Sequence, residues 1–266
     1  MITGPALLFC PGDRPDRYAK AFERADSVII DLEDAVAPAD KEAARAALVS
    51  TPLDPARVIV RVNPRTSEFF AADIAAVEQT AYRTIMLPKA EQPSDLDGLE
   101  AYDVIALCET PLGVRDADAL AADPRVTALT WGAEDLVAAI GGFKSRTPDG
   151  GFGKLAEYSR ARVLIAAAAA GKPAYDTVHT DLADDEGLRE EASEAAASGF
   201  RGAMCLHPRQ VSILREAYLP DAAAIAWATG VLEAAATTPS GVFAYNGQMI
   251  DEPLLRQARR IAEATG

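Results

Sequence analysis

Eight short β-rich runs alternate with Ala-rich stretches of helical spacing along the chain, and each run ends in polar residues. That alternation predicts an α/β fold: a (β/α)8 TIM barrel with a C-terminal helical extension. The mean step between runs is about 28 residues, enough for a strand and a right-handed crossover helix. A doubly wound sheet is the alternative, but it rarely needs eight such units.

The runs fall at 6–9 (ALLF), 27–31 (SVIID), 58–62 (VIVRV), 84–87 (TIML), 103–107 (DVIAL), 127–131 (TALTW), 174–178 (AYDTV) and 202–206 (GAMCL). Most are continuously apolar, as expected of parallel strands covered on both faces. Between them lie patterns such as PADKEAARAALVS and DDEGLREEASEAAASGF, whose Pro and Asp residues predict helix starts. After the sixth run comes GGFKSRTPDGGFGKLAEY, a Gly-rich loop of the kind that covers a site. Its GFGK is no phosphate-binding loop, because the first Gly is missing at the required spacing and Leu155 replaces Ser or Thr. Past residue 207 the pattern predicts helices over roughly 209–218 and 221–236, an irregular TTPSGVFAYNGQMIDEP and a last helix to 264. Without a low-complexity linker, 1–266 is expected to form one domain: a barrel over 1–236 and an extension over 237–266 that packs on a neighbouring subunit.

Composition narrows the function. The 266 residues are 49% hydrophobic and 25% charged, which is ordinary for a globular protein with ample core. A formal net charge of −14 argues against nucleic-acid binding, which draws on Lys and Arg to neutralise phosphates. Cys10, Cys108 and Cys205 are far apart and form no C-x-x-C, so neither a disulfide framework nor a zinc site is expected. MITGPALLFCPGDRP lacks the basic and apolar regions of a signal peptide, and VLIAAAAA at 163–170 is too short to span a bilayer. A cytoplasmic protein without membrane partners is the expectation.

Barrel chemistry gathers at the carboxyl ends of the strands. In order those ends read CPGDRP, DLED, RVN, LPKAE, LCET, WGAED, YDTVHTD and LHP. Glu109 and Asp135 end adjacent strands, so they share a proton or a cation such as Mg2+, or stand as two solvated loop acids. Glu33 and Asp34 suit orientation of metal-bound waters, or a helix start. Arg61 is a charge inside an apolar strand; its fork suits a substrate carboxylate or an ion pair with Asp31 or Glu33. Lys89 can bind substrate or pair with Glu109 or Glu91. His179 and His207 lack an H-x-x-H partner, and His207 reads as a hydrogen-bonded packing residue. Arg14, Arg17, Lys20, Lys41 and Arg45 follow the first two runs and could receive phosphates, or form a solvated helix face.

Taken together, LFCPGDRPDRYAKA, ADSVIIDLEDAV…K..AR, VRVN, MLPKAE, ALCETPLG, WGAEDL, HPRQV and GQMIDEP resemble the citrate lyase beta-subunit-like proteins of the HpcH/HpaI aldolase superfamily, which includes malyl-CoA and citramalyl-CoA lyases. The resemblance runs from about residue 6 to 260 with the motifs in order, and it is nearer to the short stand-alone members than to a subunit of a complete citrate lyase. It implies a Mg2+-dependent barrel that reversibly cleaves a β-hydroxyacyl-CoA into an acyl-CoA and a 2-keto acid such as oxaloacetate. Glu109 and Asp135 match its metal ligands, and Arg61 matches its keto-acid arginine. Gly132, Ala133 and Glu134 lie in the turn that holds the same acid's oxygens. Asp251 matches a catalytic acid supplied by a neighbouring subunit of a homotrimer. Arg14, Arg17 and Lys20 match the CoA side loosely. Kept beside this reading are a CoA-independent pyruvate aldolase, a subunit acting on a carrier-bound acyl group, and a non-catalytic keto-acid-binding protein.

Overall fold

The computed structural model describes residues 2–238 and 241–264. Eight parallel strands form one sheet: β1 (Ala6–Pro11), β2 (Ser27–Asp31), β3 (Val58–Arg61), β4 (Thr84–Leu87), β5 (Asp103–Cys108), β6 (Val126–Trp131), β7 (Ala174–Tyr175) and β8 (Ala203–Cys205). Each expected run holds its strand. Every strand pairs with its sequence neighbour, and β1 also pairs with β8. The last gap closes between β7 and β8 through a parallel bridge, Asp176 to Ala203. There the Asp176 N–H donates to the Gly202 carbonyl at 2.8 Å. That bridge nearly closes the eight-stranded barrel.

Helices α1 (Pro15–Arg24), α2 (Lys41–Ser50), α3 (Phe70–Val77), α4 (Pro111–Arg115), α5 (Ala117–Ala122), α6 (Ala133–Ile140), α7 (Lys154–Ala169), α8 (Asp185–Ser198) and α9 (Pro208–Ala217) follow the strands. The connection after β4 departs from the expected pattern, being a single 3-10 turn over Pro93–Leu96. Only 15 residues separate Leu87 from Asp103, too few for a full crossover helix with two loops. No helix among the described residues is long and apolar enough to cross a membrane. The three cysteines are free and buried.

Side chains alternate across a strand, so every second residue faces the barrel interior. Leu7, Ile29, Ile59, Met86, Ile105, Ala128, Tyr175 and Met204, one from each strand, fill its lower layer. Each bulky member of that layer contributes about 1.5–3 kcal/mol when fully buried. The next inward positions on β1, β2 and β3 are Phe9, Asp31 and Arg61. The polar strand ends thus stand on a dry floor.

Contacts group into two compact units, one up to Arg215 and one from Glu216 onward. The second unit contains α10 (Ala222–Thr237), an antiparallel hairpin of β9 (Phe243–Tyr245) and β10 (Gln248–Ile250), and α11 (Glu252–Glu263). The hairpin replaces the expected irregular segment. Asn246 and Gly247 form its two-residue turn with φ of 48° and 79°, as a type I′ turn requires. Phe243 and Tyr245 pack against the unit's own core of Ala228, Val231, Ile250, Leu255 and Ala258. Val242 and Met249 remain 53% and 65% exposed.

Candidate active site

The carboxyl ends of the strands surround a cavity of about 330 Å3 lined by Phe9, Asp31, Asp34, Arg61, Glu109 and Gly132–Asp135, among others. A larger cleft of about 530 Å3 lies along α7 and α8. Its one arginine, Arg160, is already paired with Asp176 at 2.7 Å and with Glu194.

Arg61 and Asp31 are register partners on β3 and β2, so pairing of the strands brings them side by side. The guanidinium donates from Nε to Asp31 Oδ1 at 2.8 Å and from Nη2 to Asp31 Oδ2 at 2.6 Å. Its Nη1 lies 2.7 Å from Glu33 Oε2. The Phe9 ring lies under the guanidinium, with the Arg61 Cζ 4.8 Å from its centroid. The ion-pair reading of Arg61 is therefore realised with both acids named for it. Two of its five N–H groups hydrogen-bond to Asp31, and Glu33 is held by charge rather than by a hydrogen bond. Asp31 also accepts the Glu33 and Ala35 backbone N–H groups, which folds the DLED loop over the strand end.

Lys89 stands at the meeting point of three carboxylates. Its Nζ is 3.0 Å from Asp135 Oδ1, 3.5 Å from Glu33 Oε1 and 3.7 Å from Glu109 Oε1. Its backbone N–H also donates to Glu109 Oε1 at 3.1 Å, from a left-handed conformation with φ of 52°. Such a conformation costs a non-glycine residue about 1–2 kcal/mol and recurs where function needs the geometry. Glu109 is 3% exposed. Burial and then the neighbouring Asp135 push its pKa to about 8, against the pull of Lys89. Burial likewise raises Glu33, against Arg61. Asp34 is exposed at the cavity edge.

These residues fit a divalent cation. Carboxylate oxygens of Glu109 and Asp135 converge on one positive group, and two such hard ligands leave positions for water and substrate oxygens. Gly132 completes the cradle: a Cβ there would lie 2.7 Å from Glu109 Oε2 and 2.9 Å from its Cβ. Gly132 precedes α6, so the Ala133 and Glu134 N–H groups belong to a helix first turn and lack partners within the helix. The Glu134 side chain turns away to accept from Ser145 Oγ at 2.5 Å.

The basic cluster divides. Arg14, Arg17 and Lys20 are exposed on α1 or just before it, with Arg14 paired to Asp16 at 3.0 Å. Lys41 and Arg45, read as phosphate receivers or as a solvated helix face, point inward instead. Lys41 is 5% exposed, and Arg45 Nη1 donates to Asp73 Oδ1 at 3.1 Å. His207 accepts from the Arg209 backbone N–H at its Nδ1 and is exposed rather than packed, while His179 is buried beside Glu191. Asp251 belongs to the second unit, where it caps α11 by accepting from the Leu254 N–H at 3.4 Å. Asn63 was not singled out in the sequence, and Asp31 was named only as a candidate partner of Arg61; their signal was position, at the inward end of β2 and just past β3.

Fold and site together define a TIM-barrel enzyme with an acidic mouth and a largely buried arginine beside it. The chain belongs to the HpcH/HpaI aldolase/citrate lyase family, whose sequence model matches residues 6–208. It is 51% identical over 268 residues to a citrate lyase subunit beta-like protein of Mycobacterium tuberculosis, covering 99% of this chain and 97% of the relative. The M. tuberculosis protein CitE in complex with magnesium, acetoacetate and coenzyme A has the same fold, with a TM-score of 0.97, 48% identity, and 99% and 98% of the two chains covered. A citrate lyase beta subunit from M. tuberculosis complexed with oxaloacetate and magnesium aligns with a TM-score of 0.81 and 50% identity over 82% of this chain and 98% of the other.

Proposed function

We propose that this protein is a cytoplasmic Mg2+-dependent carbon–carbon lyase that reversibly cleaves a β-hydroxyacyl-CoA, of the malyl-, citramalyl- or citryl-CoA kind, into an acyl-CoA and a 2-keto acid. The observation that carries the reading is the convergence of Glu109, Asp135 and Glu33 on the Lys89 ammonium beside Arg61. Relatives crystallised with magnesium, coenzyme A and keto acids support it.

Arg61 grips the acid's carboxylate through N–H groups that Asp31 does not take, while Asp31 and Glu33 hold the guanidinium still. The Ala133 and Glu134 N–H groups receive the acid's other oxygens. Glu109 and Asp135 would hold Mg2+, which would supply Lewis-acid stabilisation of negative charge on the substrate's oxygen. Lys89 balances the surrounding carboxylates and can shift toward substrate. Asp34, exposed at the edge, orients water. Arg14, Arg17 and Lys20 take CoA phosphates on the rim. Asp251 from a neighbouring subunit of a homotrimer removes the β-hydroxyl proton in cleavage and an α-proton of the thioester in condensation.

A screen of malyl-, citramalyl-, methylmalyl- and citryl-CoA with Mg2+, reading both fragments by mass, tests the reaction. Cleavage of at least one is expected. If none is cleaved and pyruvate methyl protons exchange without a thioester, the enzyme is instead a CoA-independent aldolase.

Arg61→Ala should weaken oxaloacetate binding by about 1.5–3 kcal/mol, the loss of one charged contact. It should also destabilise the fold by about 3 kcal/mol, because Asp31 and Glu33 would stay buried without their counter-charge. Calorimetric titration and thermal melts read the two separately. A variant that melts lower but binds oxaloacetate normally would leave Arg61 a structural role alone.

A further inference from the structure

Between the ends of β2 and β3 and the helices α2 and α3 lies a buried polar cluster that the proposed chemistry does not use. Lys41 opens α2, yet its ammonium turns inward. Its Nζ donates to the Leu32 carbonyl at 2.6 Å, the Glu33 carbonyl at 2.7 Å and Asn63 Oδ1 at 2.9 Å. All three protons are thereby spent on neutral oxygens, an expensive way to bury a charge. Asn63 extends the cluster. Its Nδ2 donates to the Leu32 carbonyl at 2.8 Å and to Asp73 Oδ2 at 2.6 Å, and its backbone N–H reaches the same Asp73 oxygen at 2.8 Å. Asp73, on α3 and fully buried, takes Arg45 of α2 on its other oxygen.

Two consecutive peptide carbonyls, those of Leu32 and Glu33, converge on one nitrogen. That fixes the turn of the chain just past β2. Glu33 reaches back from this turn to Arg61, with 2.7 Å between Oε2 and Nη1. The Leu32 N–H donates to the Arg61 carbonyl at 2.9 Å, so the same turn also grips the Arg61 backbone. We propose that Lys41 is a positioning residue for Arg61: by holding the Leu32 and Glu33 carbonyls it sets the Glu33 carboxylate, which with Asp31 fixes the plane of the guanidinium. The inference rests on the reading of Arg61 as the keto-acid grip. Three converging acceptors suit the tetrahedral ammonium of lysine, which the planar fork of arginine cannot match.

A double-mutant cycle tests it, with oxaloacetate in saturating Mg2+ as the titrated probe and thermal melts as the check on folding. Lys41→Met is expected to weaken oxaloacetate binding at least tenfold in the wild-type background. In the Arg61→Ala background it should cost less than twofold, because the residue through which it acts is gone. A merely stabilising ammonium would lower the melting temperature and leave the affinity of the folded protein alone. Should Lys41→Met fail to fold, Lys41→Gln retains two N–H donors in place of three; its loss should be smaller, and again confined to proteins that keep Arg61. Unchanged affinity in the folded Lys41 variant, or equal losses in both backgrounds, overturns the inference while the reading of Arg61 stands. Wild-type affinity in Arg61→Ala overturns that reading, and this inference with it.

Discussion

In the Glu109→Gln protein, Mg2+-dependent cleavage is expected to fall to background while the barrel stays folded. Glu109 is buried at the end of β5, and Gln keeps its shape but withdraws a charged oxygen ligand. The variant also carries a stability signature. Burial and Asp135 raise the Glu109 pKa from 4.5 to about 8, so between those values the folded protein holds a proton that the unfolded chain has released. Metal-free stability from this group is therefore lost as pH rises from about 4.5 to 8. Gln has no such loss, so near pH 8 the metal-free variant should melt above the metal-free wild type. Added Mg2+ should raise the melting temperature of wild type and leave the variant unmoved, since a ligand stabilises only the state that binds it. Wild-type stabilisation of Glu109→Gln by Mg2+ would remove Glu109 from the ligand set.

Asp251→Asn should be equally inactive, and its activity should return when it is mixed with inactive Arg61→Ala under conditions of subunit exchange. Asn caps a helix about as well as Asp, so the start of α11 should survive the change and only the proton acceptor is lost. In a ring where Asp251 serves the neighbouring barrel, some sites of the mixture combine an intact Arg61 with an intact Asp251 from next door. Partial recovery is the expected result. Demonstrated exchange without recovery would mean that Asp251 serves its own chain or caps its helix alone. The apolar basis for the proposed contact between subunits lies in Val242 and Met249, which remain exposed, because Phe243 and Tyr245 are spent inside their own unit.

Some of the site was legible as soon as the strands were. Glu109 and Asp135 follow β5 and β6, and adjacent parallel strands place their ends together without further information. Arg61 announced itself as a charge in an apolar run. Its two candidate partners were named, but sequence could not choose between them, and the structure uses both. The hairpin was legible and was passed over: Tyr-Asn-Gly-Gln between apolar residues is a strong short-range signal for a two-residue turn.

The positions of the eight strands and the polarity of their ends followed from the sequence by itself. Burial on both faces demands continuous apolar runs, and such a run is a local property that needs no knowledge of what packs against it. Direction and partnership were settled only in three dimensions. Lys41 is the clearest case: as the first residue of a helix, between Asp40 and Glu42, it reads as solvated, yet it is buried on the carbonyls of Leu32 and Glu33. Its orientation depends on how the chain turns past β2 and on the placement of Asn63 beyond β3, residues separated by 22 positions from Lys41 in one case. Helical periodicity records which residues share a face, but the strand register and barrel closure decide what that face meets.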